Sequence, residues 1–164
     1  MNGASFWQGD ALTVRSGSFS LREDYDPSAP EPYSQGLQVL PATPGMAYAF
    51  SGYARIPFGG MSYGTTGVLL VGFWDASDNQ LGNLVASPDP IGFWSPEEVW
   101  LPLSLSATAP VGAVKLTAAP VLWNPAAGNT LFWDDLSLTV VPEPSSLGLL
   151  GLGVGSCLLV GRRR

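Results

Sequence analysis

The sequence contains no histidine, and this absence excludes several kinds of active site. Without imidazole the chain can form neither a Ser-His nor a Cys-His catalytic pair, and it has no histidine ligand for a metal. Its single cysteine, Cys157, cannot form an internal disulfide or a thiolate zinc site. Enzymes that depend on any of these groups are therefore excluded.

Charged residues are also scarce, at 12% of 164 residues, about half the share that is usual in globular domains. Residues 1–141 hold four basic and twelve acidic residues, a formal net charge of −8. The other three basic residues are Arg162, Arg163 and Arg164, which end the chain. Because an acidic domain repels polyphosphate, nucleic acid is not expected as a partner.

Glycine and proline are frequent, with 20 and 15 residues, and aromatic residues make up 11% of the chain. This composition is poor for helices and typical of a packed β protein with many turns. Runs of β-forming residues alternate with turn residues, without helical patterns between them. The pattern predicts an antiparallel β-sandwich of about 8–9 strands over residues 1–140. Strands are predicted over 11–15, 18–22, 35–40, 46–55, 67–75, 80–85, 99–105, 113–122 and 130–140.

Period-two alternation assigns faces to the last predicted strand. It places Phe132, Asp134 and Leu136 on the core face, and Trp133 on the opposite face. A carboxylate on an apolar face is costly unless it is paired or binds a cation.

The C-terminal residues differ from the rest of the chain. A linker at 141–144 contains Pro142, Glu143 and Pro144, and residues 145–161 carry no charge. As a helix, these residues would extend roughly 25 Å, near the lower limit for a membrane span. The basic end at 162–164 favours the cytoplasmic side, so a transmembrane helix is predicted with the sandwich outside. The alternative, a buried C-terminal helix, is disfavoured because the run shows no polar face.

The order of Pro142-Glu143-Pro144, an apolar span and an arginine cluster resembles the PEP-CTERM sorting signal of Gram-negative bacteria. The resemblance implies export, transient anchoring in the inner membrane and recognition of the three motif residues by an exosortase. It also implies a final location at the cell surface or outside the cell, in association with polysaccharide or biofilm. The signal requires an N-terminal secretion peptide, which residues 1–10 do not resemble, so truncation at the N-terminus is expected.

Motifs in the predicted sandwich resemble those of carbohydrate-binding-module-like, galactose-binding-like jelly rolls. They lie at 16–22, 44–48, 73–77, 107–114 and 132–138. The resemblance implies a two-sheet jelly roll that often binds carbohydrate and often holds a structural calcium. Such domains usually open with a strand well before the first motif. Here that strand is expected to be missing.

Candidate ligand-binding residues are of two kinds. The resemblance implies calcium at Asp134 or Asp135, and the alternative is an acid that is hydrogen-bonded near the end of a strand. Flat aromatic rings can pair with the C–H faces of sugars. The candidate glycan contacts, which could instead be covered by the other sheet, are Tyr53, Trp94, Trp123 and Trp133.

Two further acidic pairs indicate turns rather than catalysis. Asp75 and Asp78 lie in a hairpin-like segment, and Glu97-Glu98 lacks the cleft that a glycosidase pair requires. The sequence therefore predicts an exported, non-catalytic surface or matrix protein that binds polysaccharide. The alternatives are a structural envelope protein without a specific ligand and, more remotely, a glycan hydrolase.

Overall fold

The computed structural model of the protein describes residues 5–25, 28 and 33–141. Regular secondary structure in these residues is entirely β, which confirms the predicted class. Within the same residues no helix is both long and apolar enough to cross a membrane. The strands are β1 (Ser5–Asp10), β2 (Ser20–Tyr25), β3 (Tyr33–Gln35), β4 (Gln38–Pro41), β5 (Ala47–Arg55), β6 (Thr66–Trp74), β7 (Val85–Ala86), β8 (Ile91–Gly92), β9 (Trp100–Thr108), β10 (Lys115–Trp123) and β11 (Thr130–Val141).

The strands form two antiparallel sheets that pack face to face, as the predicted sandwich requires. The first sheet has the order β1-β2-β11-β5-β9. In the second sheet, β10 and β6 are central, β3 and β4 both pair with β10, and β7 and β8 both pair with β6. Both edges of the second sheet are therefore made of short segments joined by loops.

The core lies between the sheets and consists of alternate residues from the long strands. In β9 and β10 leucines on one face point inward, with Leu103, Leu105, Leu116 and Leu122 all buried. Full burial of such side chains contributes about 1.5–3 kcal/mol each, so these positions supply much of the stability.

A bulge in β11 changes which residues face the core. The pairing of β11 with β5 shifts register between Asp134 and Ser137, and Asp135 has a φ of 51°. Before the bulge, Trp133 faces the core with 0% exposure; after it, Leu138 packs against the core. An extra residue reverses the alternation, so the predicted outward face of Trp133 is wrong.

The start of the sandwich also differs from the prediction. Residues 5–10 were not predicted as a strand but form β1, which pairs along its whole length with β2. Residues 11–15, predicted as a strand, form bends instead. The Asp10 carboxylate accepts the N–H groups of Leu12 (2.8 Å) and Thr13 (2.6 Å). This side-chain turn satisfies the backbone locally and competes with continued strand pairing.

Candidate functional site

The outer face of the second sheet carries two tryptophans at its opposite ends. Trp74 pairs with Lys115 and Trp123 pairs with Thr66, in the antiparallel register of β6 and β10. Eight residues along β10 therefore separate the two ends, which corresponds to roughly 27 Å. Between the tryptophans, this face presents Leu70, and the face is long enough for an extended ligand.

Two adjoining depressions of about 330 and 460 Å³ lie on this face and share Leu70, Leu84 and Trp123. Together they are called the sheet groove below. The first is lined by Tyr33, Gln35, Leu37, Leu70, Gly72, Trp74, Gln80, Leu84, Thr117, Ala119 and Trp123. The second is lined by Thr66, Val68, Leu70, Leu84, Ala86, Ser87, Pro88, Pro90 and Trp123.

A stacked aromatic pair stands at one end of the sheet groove. The register of β3 and β10 places Tyr33 opposite Trp123. Their ring centroids are 5.6 Å apart and their planes differ by 12°, and Trp123 is 41% exposed. The pair therefore offers a flat apolar surface to a ligand.

The other end is fixed by contacts around Gly72. Trp74 Nε1 donates a hydrogen bond of 3.1 Å to Thr117 Oγ1, which orients the indole. A Cβ at Gly72 would lie 2.7 Å from Leu84 Cδ2 and 3.0 Å from Thr117 Oγ1. Only glycine therefore allows Leu84 to lie this close to the sheet between the two depressions.

The described lining of the sheet groove includes no charged side chain. Its side-chain hydrogen-bonding groups include Gln35, Gln80 and Thr117. Beyond the Trp74 end of the sheet groove, Lys115 forms an ion pair with Asp78. Apolar rings with amide and hydroxyl groups suit an uncharged ligand that is rich in hydroxyls. Hydrolysis of a glycoside would need two carboxyl groups, and these lining residues supply none.

The four predicted glycan contacts do not form one surface. Trp123 lies in the sheet groove. Tyr53 lies on the first sheet, with the Arg15 guanidinium 3.5 Å from its ring centroid. Trp94 is 83% exposed on the loop after β8, whereas Trp133 is fully buried and cannot contact a glycan.

Trp74 and Tyr33 were not predicted as contacts. The period-two pattern of β6 could have indicated Trp74, because alternate residues of that strand share the outer face. Tyr33 follows a proline-rich stretch with no periodic signal. Its role depends on the pairing of β3 with β10, which sequence periodicity does not reveal.

Asp134 and Asp135 attach the loop after β1 to the bulge of β11. Asp134 Oδ2 accepts the N–H groups of Arg15 (2.7 Å) and Ser16 (3.2 Å), and its Oδ1 accepts that of Asp135 (2.7 Å). The Asp135 carboxylate accepts hydrogen bonds from the Ser16 hydroxyl and the Arg15 guanidinium. The Ser16 hydroxyl and then the Arg15 guanidinium hold the pKa of Asp135 below its usual range.

This arrangement does not fit a calcium site. A guanidinium already neutralises the Asp135 carboxylate, and a second cation beside it would be repelled. Among the described residues no three His, Cys, Asp or Glu side chains cluster in a way that could hold a metal ion. The contacts are instead those of a hydrogen-bonded acid near the end of a strand, the alternative named in the sequence analysis.

The other acidic pairs hold turns together. Asp75 accepts the N–H groups of Ser77 (2.8 Å) and Asn79 (2.9 Å) in the turn after β6. Glu97 accepts the N–H of Gly59 at 3.0 Å. Glu98 accepts that of Phe58 at 2.8 Å. These carboxylates bind backbone N–H groups and do not face a cleft.

One acidic side chain, Glu23, is completely buried between the sheets. Its Oε2 accepts the Nε1–H of Trp133 at 2.8 Å. Its Oε1 and the nearby buried Ser34 Oγ lack a well-formed hydrogen bond. Burial raises the pKa of Glu23 to about 8, although the Ser34 hydroxyl and Trp133 indole favour the charged form. Glu23 is therefore largely protonated at neutral pH.

Comparison with known families confirms the predicted C-terminal signal. Residues 140–164 match the PEP-CTERM protein-sorting motif. The chain therefore carries a sorting signal that implies export and transient membrane anchoring. The predicted motif residues 142–144, the helix at 145–161 and the arginines at 162–164 lie outside the described residues.

Solved structures with a similar fold include carbohydrate-binding modules. The C-terminal family 22 module of Clostridium thermocellum Xyn10B is 16% identical with a TM-score of 0.63, over 85% of this chain and 83% of the module. The CBM22-1 xylan-binding domain of Paenibacillus barcinonensis Xyn10C is 15% identical with a TM-score of 0.62, over 85% and 83% of the two chains. The predicted carbohydrate-binding-module-like jelly roll is thus confirmed as a fold.

A third similar structure is the enzymatically active domain of bacteriophage CBA120 tailspike protein 4. It is 13% identical with a TM-score of 0.60, over 84% of this chain. This chain spans only 18% of the tailspike chain. In sequence, no curated protein matches the chain.

Proposed function

We propose that this protein is an exported, non-catalytic surface or extracellular-matrix protein that binds a neutral polysaccharide in the sheet groove. The observation that carries the proposal is the stacked pair of half-buried Tyr33 and exposed Trp123 in a groove lined by uncharged residues. An exosortase would process the chain at Pro142–Pro144 after transient anchoring in the inner membrane. The sorting motif at residues 140–164 supports this part of the proposal.

The shape and polarity of the sheet groove favour an extended sugar chain. Trp123 and Tyr33 offer ring faces at one end and Trp74 offers an indole at the other. Gln35, Gln80 and Thr117 lie among them and can exchange hydrogen bonds with hydroxyl groups. Ring faces remove apolar C–H surface from water, while the polar groups satisfy hydroxyls and fix orientation.

The charge of the domain favours a neutral sugar over an acidic one. Residues 1–141 carry a formal net charge of −8, and the described groove lining has no cation to pair with a uronate or sulfate. Repulsion from the acidic surface would weaken an anionic polymer. Xylan is a suitable first probe, because similar modules are described as xylan-binding domains.

The test measures binding of the full chain, in mild detergent, to xylan and a panel of neutral polysaccharides by isothermal titration calorimetry. Trp123→Ala removes one ring of the stacked pair and is expected to weaken binding by about 2 kcal/mol, or roughly thirtyfold. Trp100→Ala is the matched control, because Trp100 is half-buried in the edge strand β9 of the first sheet. Its affinity should equal that of the wild type.

Equal affinity of Trp123→Ala and wild type would contradict the groove as the binding site. No binding across the panel would favour the structural envelope protein instead. Release of shorter sugars during the titration, detected by chromatography, would contradict a non-catalytic role.

A further inference from the structure

Exposed aromatic side chains cluster at one end of the sandwich, outside the sheet groove. Tyr63 is 79%, Phe93 44% and Trp94 83% exposed. The Phe93 and Trp94 ring centroids are 4.8 Å apart, and Tyr63 lies 6.2 Å from Phe93 and 6.5 Å from Trp94. These three residues are called the tip cluster. Contiguous exposed apolar surface of this kind usually marks an interaction site.

Hydrogen bonds hold the loops of the tip cluster in place. Ser95 N donates to Gly92 O at 2.8 Å, and Gly92 N donates to Ser95 Oγ at 3.0 Å. On the other loop, Thr65 N donates to Ser62 O at 3.1 Å, and Asn129 Nδ2 donates to Ser62 Oγ at 3.0 Å. The rings are therefore presented by preorganised loops, which lowers the entropy lost when a ligand binds.

The register of the second sheet places the tip cluster next to the sheet groove. Thr66 lines the groove and pairs with Trp123 on one side and with Gly92 on the other. Phe93 and Trp94 directly follow Gly92, and Tyr63 precedes Thr66 by three residues. The cluster therefore begins where the Trp123 end of the groove stops.

We infer that the tip cluster is an additional subsite for the same polysaccharide, which extends from the sheet groove past Trp123 and contacts Trp94. This inference rests on the proposed function. Continuity with the groove is one reason to choose a glycan as the occupant. The second reason is charge: Glu97 and Glu98 follow the cluster on the same loop, in a domain of net charge −8. The two glutamates and the net negative charge disfavour an anionic lipid surface, because such a surface attracts basic segments.

The inference predicts that the tip cluster contributes only to binding of long chains. The experiment compares the full chain and its variants for binding to xylotriose and to polymeric xylan. Trp94→Ala is expected to weaken binding of the polymer about tenfold, the order of effect expected when an aromatic contact residue is truncated. Its affinity for xylotriose should be unchanged, whereas Trp123→Ala weakens both. Trp94→Tyr, which keeps a ring, should restore most of the polymer affinity.

Phe58→Ala is the matched control, because Phe58 is 88% exposed on the loop of Tyr63 but makes no ring contact with the tip cluster. It should bind both ligands like the wild type. If Trp123→Ala weakens binding and Trp94→Ala does not change polymer affinity, the tip subsite is overturned and the groove stands. If wild type binds no polysaccharide of the neutral panel, both proposals fail; if it binds another member, the comparison is repeated with that polymer and its trisaccharide. If wild type binds anionic vesicles and Trp94→Ala does not, while their affinities for the polymer are equal, the cluster binds lipid instead.

Discussion

At the scale of single residues, Glu23 shows how tertiary packing changes the chemistry of a side chain. Its carboxyl group has 0% exposure, and one N–H, from Trp133 Nε1, satisfies one of its oxygens. A buried ionised carboxylate with so few donors would be costly. Desolvation, with a smaller contribution from the neighbouring Asp24 carboxylate, therefore raises its pKa from 4.5 to about 8.

Glu23 makes folding stability depend on pH. Between about pH 4.5 and 8 the folded state keeps a proton that the unfolded state releases. The stabilisation from this proton is complete below pH 4.5 and is lost as the pH rises towards 8, with a slope of up to about 1.4 kcal/mol per pH unit. Glu23→Gln removes the titrating carboxyl group. The free energy of unfolding of this variant, relative to that of wild type, should therefore increase from pH 5 to 8. Urea unfolding at several pH values measures the difference.

Asp89→Asn is the control for this prediction, because Asp89 is an exposed carboxylate. Its stability should follow that of the wild type at each pH. A constant difference between Glu23→Gln and wild type over this range would mean that Glu23 titrates normally and is not buried in solution.

At the scale of secondary-structure elements, the bulge in β11 couples distant segments. It reverses the inward alternation within one strand, and the left-handed φ of 51° at Asp135 is a conformation that non-glycine residues adopt only when neighbouring contacts support it. Those contacts come from Arg15 and Ser16, in the loop between β1 and β2. The bulge and that loop therefore stabilise each other.

Removal of the Asp134 carboxylate should weaken this coupling. Asp134→Ala leaves the N–H groups of Arg15, Ser16 and Asp135 without their acceptor. The loss is expected to lower the free energy of unfolding by about 2–3 kcal/mol, because three hydrogen bonds to a buried carboxylate are lost together. Thermal unfolding in EDTA and in calcium measures it, and Ser137→Ala, on the same strand, is the control.

The two buffers also test the metal site. Because the Arg15 guanidinium pairs with Asp135 and backbone N–H groups bind Asp134, wild type should unfold at the same temperature in EDTA and in calcium. A higher midpoint in calcium that disappears in Asp134→Ala would show that the pair does bind the ion.

At the scale of the whole molecule, the direction of β11 places its C-terminal end far from the tip cluster. The first residue of β11, Thr130, donates its N–H to Gly60 O in the loop that leads to Tyr63. The last, Val141, pairs with Ala47 at the other end of the first sheet. Twelve residues of β11 extend roughly 40 Å between these ends. The segment that carries the sorting motif therefore starts far from the proposed tip subsite.

The net charge of the domain leads to a prediction about salt. Residues 1–141 carry a formal charge of −8, whereas the described groove lining is uncharged. Xylan affinity should therefore change less than twofold between about 0.01 and 1 M salt, since no ion pair with the ligand is screened. Polygalacturonate should bind poorly at low salt because the acidic domain repels it. Tighter binding of polygalacturonate than of xylan would contradict a neutral ligand.

Much of the fold could be predicted because its signals are local. Alternation and turn residues located β5, β6, β10 and β11 to within two residues, and β9 by its N-terminal end. The predictions were wrong for residues 11–15 and for the face of Trp133, because a side-chain turn and a bulge interrupt the period without a change in composition.

The sequence by itself determined the β class, the long strands β5, β6, β9, β10 and β11, and the sorting motif at residues 140–164, since each depends on residues that are close in the chain. Only the tertiary structure decided which tryptophans are available to a ligand. Either face of a strand can be covered by a second sheet, and that sheet buries Trp133 while leaving Trp123 exposed. The sheet groove likewise exists because strand pairing brings Tyr33, Trp74 and Trp123 onto one face from distant parts of the chain.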